Sequence, residues 1–133
     1  MIKVFIETNS YSDYFRGDRR ITKEIVNSDE AIISVITLGE LFLGFKAGSK
    51  EIKNIEILED FLSEPQVKIA KISQYTSKIY GDIKYQLRIK GRMIPDNDIW
   101  IAASVIETDS LLVTYDRHFL EIPRLKFWKG LKK

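Results

Sequence analysis

Short β-branched apolar runs, spaced widely enough to hold helices between them, restrict the folding of this chain more than any other feature. Ile2 to Ile6, Ala31 to Val35, Val67 to Ala70 and Leu111 to Val113 read as buried strands, with a weaker candidate at Leu125 to Trp128. The segments between them carry apolar residues at helical spacing. Ile36, Leu41, Phe42 and Phe45 form one face, Ile52, Ile55, Leu58, Phe61 and Leu62 a second, and Tyr75, Ile79, Ile83 and Leu87 a third. Ile99 to Ala103, followed by Val105 and Ile106, is apolar nearly all round, which predicts a helix buried over most of its surface. Strands separated by helices need crossover connections. The alternation therefore predicts an α/β fold, a mostly parallel sheet covered by helices on both faces.

A chain of 133 residues has room for one domain burying roughly two-thirds of its unfolded surface, and nothing in residues 1–133 suggests a place to divide it. Gly17, Gly44 with Gly48, and Gly91 fall near expected helix ends, where a left-handed C-cap suits glycine. None belongs to a dinucleotide or P-loop signature. With no Cys and 1 His, disulfides, thiolate chemistry and Cys/His zinc sites are excluded, so a metal here must be held by oxygen. No apolar stretch reaches the ~20 residues that span a bilayer, and the N-terminus lacks the apolar region of a secretory signal, which predicts a cytoplasmic protein with no membrane partner.

The formal charge of +2, from 21 Lys plus Arg against 19 Asp plus Glu, is too small for phosphate binding to be read from net charge. Distribution says more. Lys84, Arg88, Lys90 and Arg92 cluster before residue 96, and Arg124, Lys126, Lys129, Lys132 and Lys133 crowd the C-terminus. They form either a basic rim beside acidic residues or solvated helix faces and a solubilising tail.

Ligands of open α/β sheets bind beyond the carboxyl ends of the strands. Glu7 follows the first strand, Glu40 lies in the helix after the second, Asp98 opens the buried helix, and Asp116 follows the last strand. In a parallel sheet all four converge at one edge. Uncompensated carboxylates repel, and a divalent cation with oxygen ligands, Mg²⁺ or Mn²⁺, relieves that repulsion and suits hydrolysis of a phosphodiester. Each acid also has a purely structural reading. Thr37 to Glu40 matches a capping box, Asp96, Asn97 and Asp98 suit a helix start, Asp116 suits an Asx-turn or N-cap, and Glu7 suits the polar end of a sheet edge.

Four segments, Ile6 to Ser10, Ile36 to Leu41, Ile94 to Ala103 and Leu112 to Phe119, resemble in order and spacing the four motifs of PIN-domain proteins, especially VapC-type toxins of toxin–antitoxin pairs. The resemblance spans essentially the whole chain. It implies a three-layer α/β/α PIN-like domain acting as a Mg²⁺- or Mn²⁺-dependent endoribonuclease. Glu7, Glu40, Asp98 and Asp116 then match the catalytic metal-site acids, Asp96 sits where some members have a further acid, and Thr8, Asn9 and Thr114 match polar positions that support them. It further implies an RNA substrate, a homodimer, and a VapB-type antitoxin through which alone the toxin meets operator DNA.

One position departs from the family pattern, which begins Asp-Thr-Asn where this chain has Glu7-Thr8-Asn9. The extra methylene displaces the carboxylate by more than about 1 Å, enough to cost ~100-fold where geometry sets the rate. The expectation is that Glu7 still faces the metal and that activity is reduced. A catalytically weak PIN domain serving mainly a repressor complex is the alternative, and a phosphoacceptor receiver-like domain is a more distant one. His118 reads as a surface or packing residue rather than a general base, Trp100 as core, and Tyr75, Tyr80 and Tyr85 as contacts for either a second copy or RNA.

Overall fold

The structure is a computed structural model and describes residues 1–131; Lys132 and Lys133 of the basic tail lie outside the described residues. The chain runs β1 (Lys3–Ile6), α1 (Thr8–Phe15), α2 (Arg19–Val26), β2 (Glu30–Ser34), α3 (Val35–Ala47), α4 (Glu51–Leu62), β3 (Val67–Ala70), α5 (Gln74–Ile89), α6 (Asp96–Glu107), β4 (Leu111–Val113), and a 3₁₀ turn (Arg117–Glu121). The strands form one all-parallel sheet of order β3-β2-β1-β4. Ile6 of β1 lies opposite Ile33 on one side and Val113 on the other. Successive strand residues point to opposite faces, and Val4, Phe5 and Ile6 are all fully buried, so helices cover both faces of β1. Every connection between successive strands contains two helices, as parallel pairing requires.

The order of the strands decides where a site can form. From β1 the chain steps outward to β2 and β3, then α5 and α6 carry it back past β1 to place β4 on the other side. The direction of winding thus reverses between β1 and β4, which opens a crevice at their carboxyl ends. Glu7 and Asp116 are delivered to that crevice. β1 is central, which replaces the reading of Glu7 as the end of a sheet edge.

α6 is the buried helix expected, with Ile99 and Ile101 through Val105 out of solvent. Other expectations are corrected. Val35 starts α3 instead of ending a strand, because the Ser34 hydroxyl accepts from the Ile36 amide at 3.0 Å and caps the helix there. Leu125 to Trp128 makes a single parallel bridge, Phe127 to Leu112, not a strand. β3 is an edge strand, and its Ile69 is exposed. On α5 the buried stripe is Thr76, Ile83 and Leu87; Tyr75 is in solvent, as a contact residue would be, and exposed Phe42 and Ile52 agree with the expectation that α3 and α4 show more apolar surface than one core needs. Trp100 is half-buried and stacks on Tyr80, with ring centroids 4.0 Å apart. Gly17 and Gly91 have the positive φ anticipated, 94° and 69°, whereas Gly44 is inside α3 and Gly48 is extended. Among the described residues no helix is long and apolar enough to cross a membrane.

Candidate active site at the switch point

Glu7 leaves β1 in an extended conformation and becomes the N-cap of α1. Its Oε1 accepts from the Ser10 amide at 2.7 Å and the Thr114 hydroxyl at 3.1 Å, its Oε2 accepts from the Asn9 amide at 3.1 Å, and the Ser10 hydroxyl accepts from the Glu7 amide in return. The residue is 2% exposed. Burial pushes its pKa up to about 7, against the lowering pull of those amides and Thr114, and the nearby Asp116 adds to the rise.

Glu40 sits well inside α3, past the Ser34 cap, so the Thr37 capping box does not form. Its carboxylate instead accepts from the Thr8 hydroxyl on α1 and, at 3.3 Å, from the Asn97 amide on α6. Two helices thereby hold one acid at the crevice. Asp98, in the first turn of α6, has its pKa raised to about 6, first by burial and then by the charges of Asp116 and Glu40. Asp116 caps the 3₁₀ turn by accepting from the His118 amide at 3.0 Å. Its own amide donates to the Thr114 hydroxyl at 2.9 Å. Thr114 therefore joins the loops after β1 and β4, accepting from the Asp116 backbone while donating to Glu7.

His118 is where the structure adds to the sequence. Its Nδ1 lies 3.3 Å from Asp116 and 3.6 Å from Asp98. One ligand atom each from Asp98, Asp116 and His118 fall within 4.8 Å of one another. Two repelling carboxylates can share a divalent cation such as Mg²⁺ or Mn²⁺, and the His118 nitrogen beside them, a poorer ligand for so hard an ion, corrects the expectation of a purely oxygen-lined site; Glu40 is close enough to Asp98 to raise its pKa. The signal was present as Asp116-x-His118, but a single histidine in a turn does not announce its direction. The acids do not all join that trio. Glu7 is committed to the α1 cap beside it, and Asp96 turns toward α5, accepting from Lys84 Nζ at 2.7 Å and Tyr80 Oη at 3.0 Å. The Asn9 contribution comes from its backbone amide.

The family model for the PIN domain matches residues 4–125. The chain belongs to the PIN-domain family. Among relatives of this PIN domain, Ribonuclease VapC2 of Haemophilus influenzae is 30% identical over 116 residues, 86% of each chain. Ribonuclease VapC2 of Rickettsia felis is 32% identical over 102 residues, 76% of this chain and 75% of the relative. The toxin–antitoxin complex VapBC2 from Rickettsia felis, solved bound to a DNA fragment from its promoter, contains a chain with TM-score 0.86 and 26% identity, covering 96% of this chain and 98% of that one. A receiver-like domain is thereby set aside.

The end of this PIN domain braces its crevice. Trp128, 2% exposed, donates from Nε1 to the Thr114 carbonyl at 2.6 Å, while the Arg20 guanidinium lies over the Trp128 and Tyr115 rings at 5.3 and 5.9 Å. Trp128→Phe keeps an aromatic ring but leaves that carbonyl unpaired in a buried place. We expect a loss of about 1–3 kcal/mol in urea unfolding, with an unchanged midpoint as the contradicting result.

Proposed function

We propose that this PIN domain is a divalent-metal-dependent endoribonuclease of the VapC type, a toxin neutralised by a VapB-type antitoxin. The observation that carries the reading is the meeting of Asp98, Asp116 and His118 at the β1–β4 crevice, in a chain similar to two VapC ribonucleases. Asp98 and Asp116 would hold Mg²⁺ or Mn²⁺, with His118 beside them and Glu40 at the margin. When bound, such an ion neutralises charge at an RNA phosphodiester and activates water for in-line attack. The protein's own residues do the positioning. Thr8 and Asn97 keep Glu40 turned inward, Thr114 ties Glu7 to the loop carrying Asp116, and the 3₁₀ turn fixes Asp116 through the His118 amide.

A second reading, a catalytically weak domain acting mainly within a DNA-binding repressor complex, is favoured by one observation. The Glu7 carboxylate spends its hydrogen-bonding capacity on the α1 cap and Thr114. The deciding experiment is cleavage of a structured RNA mixture with Mn²⁺ or with EDTA, by the unaltered chain and by Glu7→Asp. Metal-dependent cutting by the unaltered chain supports the nuclease. Cutting by Glu7→Asp alone supports the weak form, and silence from both contradicts the nuclease reading.

We further propose a cytoplasmic single-domain protein, residues 1–133, that dimerises and reaches operator DNA only through its antitoxin. Phe15, Phe42, Leu43 and Ile52, all exposed, give helices α1, α3 and α4 an apolar surface suited to such interfaces. Light scattering at micromolar concentration should report a dimer.

A further inference from the structure

Of the basic cluster visible in the sequence, Lys84, Arg88 and Arg92 gather at one place while Lys90 does not join them. They converge around a pocket of about 250 Å³ at the corner where α5 turns into α6. Its walls include Leu87, Ile94 and Ile99, of which Leu87 and Ile99 belong to the core. Ile99 is the residue after Asp98. Arg92, Met93 and Ile94 line both this pocket and the adjoining cleft of about 440 Å³ that contains Asp116 and His118. The two spaces are therefore neighbours across one short segment. Met93, at their shared rim, is 95% exposed.

The chemistry is uneven in a useful way. Lys84 is matched by Asp96 at 2.7 Å and Arg92 by Glu121 at 3.5 Å, whereas Arg88 makes no ion pair among the described residues. The pocket thus presents apolar walls with one uncompensated guanidinium. A planar base buries its faces against aliphatic and thioether groups, and a phosphate takes a guanidinium in a bidentate grip. The volume lies below that of sites for drug-sized ligands, so it suits a single base.

Resting on the ribonuclease reading, we infer that this corner is a nucleotide subsite, receiving the base and phosphate of a residue adjoining the bond to be cut in an RNA strand. Arg88 engages the phosphate and Met93 closes over the base. The subsite selects which nucleotide may flank the cut.

The test uses Arg88→Glu and Met93→Ala, neither placed among the catalytic acids, and a random-sequence RNA 12-mer pool. Binding is followed by fluorescence anisotropy in EDTA across a salt series, and cleavage in Mn²⁺ by sequencing the new ends. We expect Arg88→Glu to weaken binding about tenfold and to lower the salt slope by about 1, and Met93→Ala to relax nucleotide preference at one position beside the cut. Unchanged affinity and unchanged end sequences in both variants would overturn the subsite. If neither the unaltered chain nor Glu7→Asp cuts, the nuclease reading fails, and the binding arm still decides. RNA affinity lost with Arg88→Glu then keeps the corner as a base-and-phosphate contact but overturns its place beside a cut, and RNA affinity retained removes the site altogether. If instead the variants bind RNA normally but lose the dimer in light scattering, the corner is a protein interface and the inference is wrong.

Discussion

Asp98→Asn is expected to reduce metal-dependent RNA cleavage by a factor on the order of 10²–10³ without unfolding the protein. Asparagine has nearly the same shape but removes the charge that a cation and the other donors, Asp116 and His118, are arranged around. The fold should tolerate it. The Asp98 backbone amide, not its side chain, makes the helix-start bond, to the Pro95 carbonyl at 3.0 Å. Burial and two neighbouring acids push the Asp98 pKa to about 6, so the neutral side chain also relieves repulsion. Initial rates and thermal melts measured side by side check both halves. A variant that melts normally and cuts at full rate would remove Asp98 from the chemistry.

The second large effect is on stability, and it concerns Glu7. In the unfolded chain its pKa is 4.5, and in the fold, without a cation, it is about 7. The folded state therefore binds more protons between these values. Stability from this group is full below pH 4.5 and is lost as pH rises through about 7, by up to about 3 kcal/mol. Asp98, raised to about 6, acts with the same sign and more weakly because it is partly exposed. Glu7→Gln cannot ionise, so in urea unfolding in EDTA at pH 5, 6, 7 and 8 its decline should be shallower than that of the unaltered chain. Its absolute stability is a separate matter, because the glutamine NH₂ would face the Asn9 amide, donor against donor. Parallel declines would show that Glu7 is not the group responsible.

The sheet and the crevice were legible in the sequence for a physical reason. The runs Ile2 to Ile6, Ala31 to Val35 and Leu111 to Val113 each mark a strand, because short β-branched apolar stretches suit a parallel sheet covered on both faces, although Ile2 is exposed outside β1 and Val35 opens α3; acids placed just beyond such strands have few other destinations. Tertiary direction was less legible. Thr37 to Glu40 satisfies a capping pattern, yet Ser34 caps the helix earlier, which frees Glu40 to meet Thr8 and Asn97 from other helices. α1 and α2 were not foreseen, since α1 is mostly polar and α2 shows only Ile21 and Ile25 as a buried pair. Phe42 and Ile52 share helical faces with buried residues yet are exposed, in keeping with the reading that α3 and α4 carry more apolar surface than one core needs, and exposed Tyr75 agrees with its reading as a contact residue; spacing alone does not say which residues of a face the chain covers. Trp128 bonding to the Thr114 carbonyl is a contact between distant loops, and no local pattern encodes it.

Anomalous diffraction from Mn²⁺-soaked crystals of the unaltered chain tests the central claim most directly. The expected result is a manganese peak within ligand distance of both Asp98 and Asp116, with His118 beside it, that disappears in Asp98→Asn crystals. A protein that cleaves RNA in Mn²⁺ while its crystals show manganese only elsewhere would contradict the assignment of this crevice as the metal site.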